Sequence, residues 1–399
     1  MTEGMSAALS QIPLYPVDLF SRESIRNART VDDTLRETAP VVRLSDGTVI
    51  ISRHADVAAG LADWRTYSST SRPWHDPTSP RPEILLTDDP PRHTRVRAIV
   101  AESLSTHALE ERRSAFEQAA RELLDAVCAR AGEPLDAVGD LTQRFVSQVL
   151  ADLLGLAPDD RAHMNDFGHI VWATLGPPNE LFEEAMAGAA PVLTWLDRVC
   201  DRSRLSKDGV GERIFAAADA GTISQDEAKL LLQTVLSAGA DTTVITMATT
   251  LGAFARFPQA YEEVRSDPRL TRAAFEECLR WDSPSRMAGR ITTREVQIGD
   301  IRIPAETRVG LLFAAANRDP RAWADPDHFD VHRDLRKSVG FGYGLHACVG
   351  RALAQLEASS LLNEIVRRIA RIEIAGPEEP WMTTIGHGPA RLPLRLFPA

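Results

Sequence analysis

The sequence predicts a mainly α-helical protein carrying small β-sheets. Three observations lead there. From about residue 93 to 270, apolar side chains recur at i, i+3 and i+4, the spacing of one helix face. Within that stretch, residues 224–256 form the longest helix candidate. Strand-like alternation is confined to residues 41–51 and 290–313.

Size and composition set the frame. The chain has 399 residues, 44% hydrophobic and 25% charged, as in globular proteins. No Gly/Ser- or Pro-rich linker divides the interior, and the Pro clusters at 73–82 and 176–178 read as loops. One domain over 1–399 is expected, with roughly residues 1–35 as an N-terminal extension. No period of 20–50 residues repeats, which argues against a solenoid. A net charge of -11 argues against nucleic acid as a partner, since phosphate recognition needs a basic face. Four cysteines without paired spacing make no disulfide framework and fit a reducing compartment. The first 16 residues lack a signal-peptide pattern, and no uninterrupted apolar run of ~18 residues offers a membrane span. A soluble, cytoplasmic protein is expected.

Each element follows from local pattern. Residues 41–44 and 48–51 pair as strands about an Asp46-Gly47 turn. The long helix opens with a capping box, Ser224-Gln225-Asp226-Glu227, and stays apolar-periodic to Phe257. At ~1.5 Å per residue it would reach about 50 Å, and being apolar on most faces it must run through the protein. A shorter helix covers residues 272–281. Strands are expected over 290–296, 297–303 and 309–313, with Gly299-Asp300 as a turn. An Asp/Pro-rich stretch, 317–337, leads to a glycine-rich loop and a last helix over about 349–369.

That loop reads Phe341-Gly342-Tyr343-Gly344-Leu345-His346-Ala347-Cys348-Val349-Gly350. A cysteine just ahead of a helix meets free N–H groups and the positive end of the dipole, which should lower its pKa. Glycines before it let a flat cofactor approach the backbone. An iron ligand facing a porphyrin needs both. Other readings compete. Gly342-x-Gly344-x-x-Ala347 matches a dinucleotide-binding pattern but lacks a βαβ context. His346-x-Cys348 is half a zinc site without a second pair. Cys128, Cys200 and Cys278 read as inert core cysteines.

In the long helix, Ala238-Gly239-Ala240-Asp241-Thr242-Thr243 is anomalous. An interior glycine costs about 1 kcal/mol relative to Ala, and an unpaired buried carboxylate costs more. The run reads either as room for a ligand beside a proton source, or as a kink in which a threonine bonds back to the preceding turn. Glu277 and Arg280 stand three apart on one helix face, the spacing of a surface ion pair.

Taken together, these motifs resemble the cytochrome P450 superfamily of the soluble bacterial type, from about residue 35 onward. The resemblance implies the P450 fold and haem b, with Cys348 as the axial iron ligand and Phe341 packed near its sulfur. Gly342, Gly350, Ala238 and Gly239 would border the cofactor. It makes Asp241 and Thr242 an acid–alcohol pair: the hydroxyl steadies dioxygen and the acid relays protons for O–O cleavage. It makes Glu277, Arg280 and Arg333 a buried structural set, and assigns His93, Arg97 and Arg290 to the haem propionates. Ser338 stands where many relatives carry a further propionate-binding His, and Gln355 replaces an Arg. The implied activity inserts one oxygen atom of O2 into a substrate with electrons from a separate ferredoxin and its reductase. Arg92, Arg95, Arg336, Lys337 and Arg351 form a basic cluster that would steer an acidic donor. Neither a peroxygenase nor a non-catalytic haem sensor needs the acid–alcohol pair.

Residues 172–181 and 290–296 resemble the branch that O-demethylates para-substituted benzoates. A small aromatic substrate is therefore expected, with Trp172, Leu175, Thr234 and Ala238 in its pocket. That branch grips the carboxylate with an Arg and a Ser where Pro80 and Glu83 fall here by count, unless Arg81 or His75 substitutes. A Glu83 facing a benzoate would repel it. The expectation becomes a neutral or cationic aromatic, with a larger secondary-metabolite scaffold as the alternative.

Overall fold

The computed structural model describes residues 9–70, 84–130 and 132–399. Helices dominate and the strands gather in small sheets, as expected. The largest sheet orders Val41–Arg43, Val49–Ile51, Arg308–Leu312, Met287–Thr292 and Tyr67–Ser68. Only the second and third strands run parallel. The first turn forms as read: Gly47 takes φ 87°, and Asp46 accepts from the backbone and hydroxyl of Thr48 at 2.9 and 2.8 Å.

Two expected strands are redrawn. The strand placed at 290–296 spans Met287–Thr292 and stops there because the Thr293 N–H donates to Thr66 O, outside the ladder. The strand placed at 297–303 is a hairpin, Val296–Ile298 and Ile301–Ile303, turning at Gly299 with φ 56°. A three-stranded sheet, Pro134–Asp136, Pro393–Pro398 and Ile369–Ile374, had no forecast.

Residues 9–35, expected as part of an extension, pack into the body of the molecule. Leu19 and Leu35 are fully buried, and Asp32 pairs with Arg286 at 2.6 Å in the interior.

The helices that build the site are α1 (Arg92–Ser103), α2 (Met164–Thr174), α3 (Gln225–Ala240), α4 (Thr242–Arg256), α5 (Thr271–Trp281) and α6 (Arg351–Arg368). The capping box starts α3: Ser224 Oγ accepts from Glu227 N at 3.1 Å and Glu227 Oε2 from Ser224 N at 2.9 Å. The single long helix of the sequence reading is broken at Asp241 (φ -109°, ψ -41°), where α3 hands over to α4. Threonine hydroxyls bond back one turn along the break: Thr242 to Ala238 O at 3.1 Å, Thr246 to Thr242 O at 2.6 Å, Thr250 to Thr246 O at 2.7 Å. Such bonds compete with the helical ladder and bend it. By length and hydropathy the pair α3–α4 would also suit a membrane, but most of it is buried inside the fold.

Candidate active site

The cysteine loop is wound by its own backbone. Gly342 N donates to Val339 O at 2.8 Å and Cys348 N to Phe341 O at 2.8 Å. Gly342 and Gly344 take φ 68° and 67°, a region L side chains rarely adopt. A Cβ on Gly344 would also meet Leu61 O at 2.5 Å, so the loop lies on its neighbour's backbone.

Cys348 ends this loop two residues ahead of Gly350, the N-cap of α6. Protein encloses it, yet its sulfur is accessible, because the accessible surface faces an internal cavity rather than bulk water. The expected depression of the thiol pKa is overturned. Burial pushes it up, against the Gly350 N–H, Arg97 and Arg351. One N–H and two guanidiniums offset desolvation only in part; a coordinating metal would deprotonate the thiol outright.

The cavity holds about 360 Å³. Its walls come from the cysteine loop, from α1 and α2, and from the α3–α4 break. In a helix pair otherwise sunk in the core, Ala238 is exposed and Gly239 and Thr242 half-exposed, all three onto this space. Asp241 turns the other way. It is 8% exposed, its Oδ2 has no partner, and burial raises its pKa well above the usual carboxylate range.

Basic side chains cluster at the cavity. His93 is buried with both ring nitrogens unpaired. Arg97 donates to Ala347 O at 2.7 Å. Arg290 is buried, reaches only Gly289 O at 2.7 Å, and is held down to about 10 by burial. His346 lies 4.5 Å from the His93 ring, 3.1 Å from Ser69 Oγ, and is pushed down to about 3 by burial, Arg290, His93 and Arg97. A buried guanidinium, a half-buried one and an unpaired imidazole around one enclosed space call for an anion. Ser338 is not on this wall; its hydroxyl accepts from Gly340 N at 3.2 Å.

The structural set assembles. Arg280 clasps Glu277 through two 2.7 Å bonds, both side chains fully buried, and Arg333 closes the set at 3.1 Å. The two arginines also donate to the carbonyls of Asn317, Ala324, Asp325 and Pro326. Asn317 Oδ1 then accepts from Val339 N at 2.9 Å, at the head of the cysteine loop. The surface-pair reading of Glu277–Arg280 therefore fails.

Trp172, Leu175, Thr234 and Ala238 all line the cavity. The Thr234 hydroxyl is spent on Leu230 O at 2.9 Å. Glu83, with Pro80, Arg81 and His75, lies outside the described residues. Of the five basic residues around the loop, four, Lys337 apart, stand against carboxylates. Arg92 bonds Asp88 and Glu227, Arg95 lies 3.6 Å from Glu227, Arg336 bonds Asp334 and Arg351 bonds Glu276. With 56 acidic against 45 basic residues, surface arginines find carboxylates.

Sequence reading missed three lining residues. Ser69 sits in no motif. His346 was in view but read only as half a zinc site, and no cluster of metal-binding side chains completes one among the described residues. Glu357, on α6, is buried with Oε1 unpaired, takes a hydrogen bond from Thr243 and is pushed up to about 8. The dinucleotide reading fails too, since α6 leads into an antiparallel sheet.

A thiol facing the cavity, a window of small residues on the central helix and buried basic groups lining the same space suit an iron porphyrin bearing carboxylates. Comparison with known proteins agrees. A profile described as Cytochrome P450 matches residues 201–387. Cytochrome p450 CYP199A2 of Rhodopseudomonas palustris is 37% identical over 97% of this chain and 95% of its own. Cyclomarin C epoxidase CymV of Salinispora arenicola is 33% identical over 88% and 91%. The solved structure of CYP109Q5 from Chondromyces apiculatus superposes with a TM-score of 0.80 at 29% identity, covering 96% of this chain and 99% of that one. The chain belongs to the cytochrome P450 family and is a P450 monooxygenase with haem b as its cofactor.

Proposed function

We propose that the enzyme oxidises a small, neutral, aromatic substrate in the cytoplasm, by hydroxylation or O-demethylation, with electrons from a ferredoxin and its reductase. The observation that carries the substrate reading is the cavity. Several of its polar groups are accounted for: His93, Arg97 and Arg290 are those the haem propionates would engage, and the Thr234 hydroxyl is internally bonded. Much of the remaining wall is apolar, including Val171, Trp172, Leu175, Met287 and Ile385. Such a wall favours a compact, largely apolar molecule. The larger-scaffold reading keeps some support from the relatives named for cyclomarin C and erythromycin.

Haem, when bound through a thiolate, supplies reductive activation of dioxygen and transfer of one oxygen atom to a C–H bond. Cys348 is the residue to hold it, with the Gly350 N–H directed at its sulfur. His93, Arg97 and Arg290 would hold its propionates, and His346 stands beside them. Thr242 can turn its hydroxyl from Ala238 O toward the cavity, and Asp241 is the proton store behind it.

Two spectra test this. The reduced, carbon monoxide-treated protein should show the red-shifted Soret band of thiolate ligation, and Cys348→Ser should abolish it. A panel of alkylbenzenes, aryl ethers, benzoates and macrolides, read by haem spin state, should respond most to the neutral aromatics. A dominant response to para-methoxybenzoate would overturn the neutral-substrate reading.

A further inference from the structure

Asp241 and Thr242 adjoin in sequence but meet different surroundings. Thr242 is on the cavity wall, whereas the Asp241 carboxyl packs on α2. Its seat there is Gly168. A Cβ at that position would overlap the carboxyl group, standing 2.6 Å from Cγ and 2.9 Å from Oδ1. Gly168 lies inside a regular helix and has no positive φ, so its backbone conformation does not demand glycine. Glycine is also a poor helix former. Space is what requires it.

The seat is enclosed by protein, and among the described residues no cation faces it. His163 and Asp166 engage each other at 2.8 Å, His169 accepts from Trp381 Nε1 at 3.2 Å, and Glu357 takes the bond from Thr243. Burial alone acts on the acid and raises its pKa well above the usual carboxylate range. Gly168 further shares a helix face with Val171, Trp172 and Leu175, at i+3, i+4 and i+7, and those three line the cavity. One face of α2 thus touches the acid at one end and the substrate space along the rest.

We infer that Gly168 is a positioning residue for Asp241: its bare backbone lets α2 close onto the break between α3 and α4 and holds the acid in its seat behind Thr242. The inference rests on the reading of Asp241 as the proton store.

The test uses the haem-loaded protein, as wild type, Gly168→Ala, Asp241→Asn and the double variant Gly168→Ala/Asp241→Ala. Infrared difference spectra report protonated carboxyls, and the band lost in Asp241→Asn is assigned to that residue, apart from Glu357. In Gly168→Ala this band should shift or vanish. Gly168→Ala should also lower the unfolding midpoint strongly in the wild type and little beside Asp241→Ala. An unmoved band, or an equal loss of stability in both backgrounds, overturns the inference. Should Gly168→Ala fail to fold alone, folding of the double variant supports it, and failure of both overturns it. Peroxide release under turnover separates the two readings. Asp241→Asn without added peroxide would sink the proton-store reading, while the infrared band still judges the seat.

Discussion

At the scale of single residues, the site depends on groups that are buried without their usual partners. Glu357 is the plainest case. Its pKa rises from the ordinary 4.5 to about 8, so the folded chain holds a proton that the unfolded chain releases. The stabilising contribution is therefore complete below about pH 4.5 and is lost as pH climbs to about 8. Asp241 acts with the same sign. Thermal melts of Glu357→Gln should fall less than those of the wild type across that window. A steeper fall in the variant would contradict the assignment. Thr242→Ala should leave the carbon monoxide spectrum intact, divert electrons into peroxide and slow product formation by about 10²-fold or more, the scale of positioned proton transfer. Cys348, Thr242, His93, Arg97 and Arg290 could be picked out of the sequence by motif, the last four through the family resemblance, and all five line the cavity. Glu357 and Gly168 could not, because what makes them unusual comes from other helices: Thr243 above one, the Asp241 carboxyl against the other.

At the scale of elements, helix periodicity and caps could be read directly, and long-range hydrogen bonding could not. The capping box at Ser224 and the helix through Trp281 stand where pattern put them. The break at Asp241 was present in the sequence only as an ambiguity between kink and ligand window, and the structure contains both at once. The strand ending at Thr292 was overrun because its terminator is a carbonyl at Thr66, remote in sequence. The Glu277–Arg280–Arg333 set belongs to this scale as well. It fastens α5 to residues 317–328, and through Asn317 to the cysteine loop. Removing one member leaves an uncompensated buried charge, a loss of about 3–5 kcal/mol. Glu277→Gln should therefore lower the unfolding midpoint and reduce haem retained on gel filtration. Full retention with an unchanged midpoint would show that the set does not hold the loop.

For the molecule as a whole, charge is distributed otherwise than a count of arginines suggested. The arginines near the cysteine loop are matched by Asp88, Glu227, Asp334 and Glu276. Long-range steering of an acidic donor, which brings at least ~10-fold in association rate where it operates, should be weak. Reduction by a surrogate ferredoxin should accordingly change less than ~10-fold between low and physiological salt. A steeper dependence would reveal a net positive docking face after all.

The cluster of two guanidiniums and two imidazoles around the cavity has one more consequence. Burial first, and then repulsion from Arg290, His93 and Arg97, already holds the proton off His346. A dianionic ligand that binds only the folded chain relieves that repulsion and shifts the folding equilibrium by RT ln(1 + [L]/Kd). Haem supply is then a thermodynamic variable of folding itself. A cell short of porphyrin would hold not a reserve of idle enzyme but a smaller folded population.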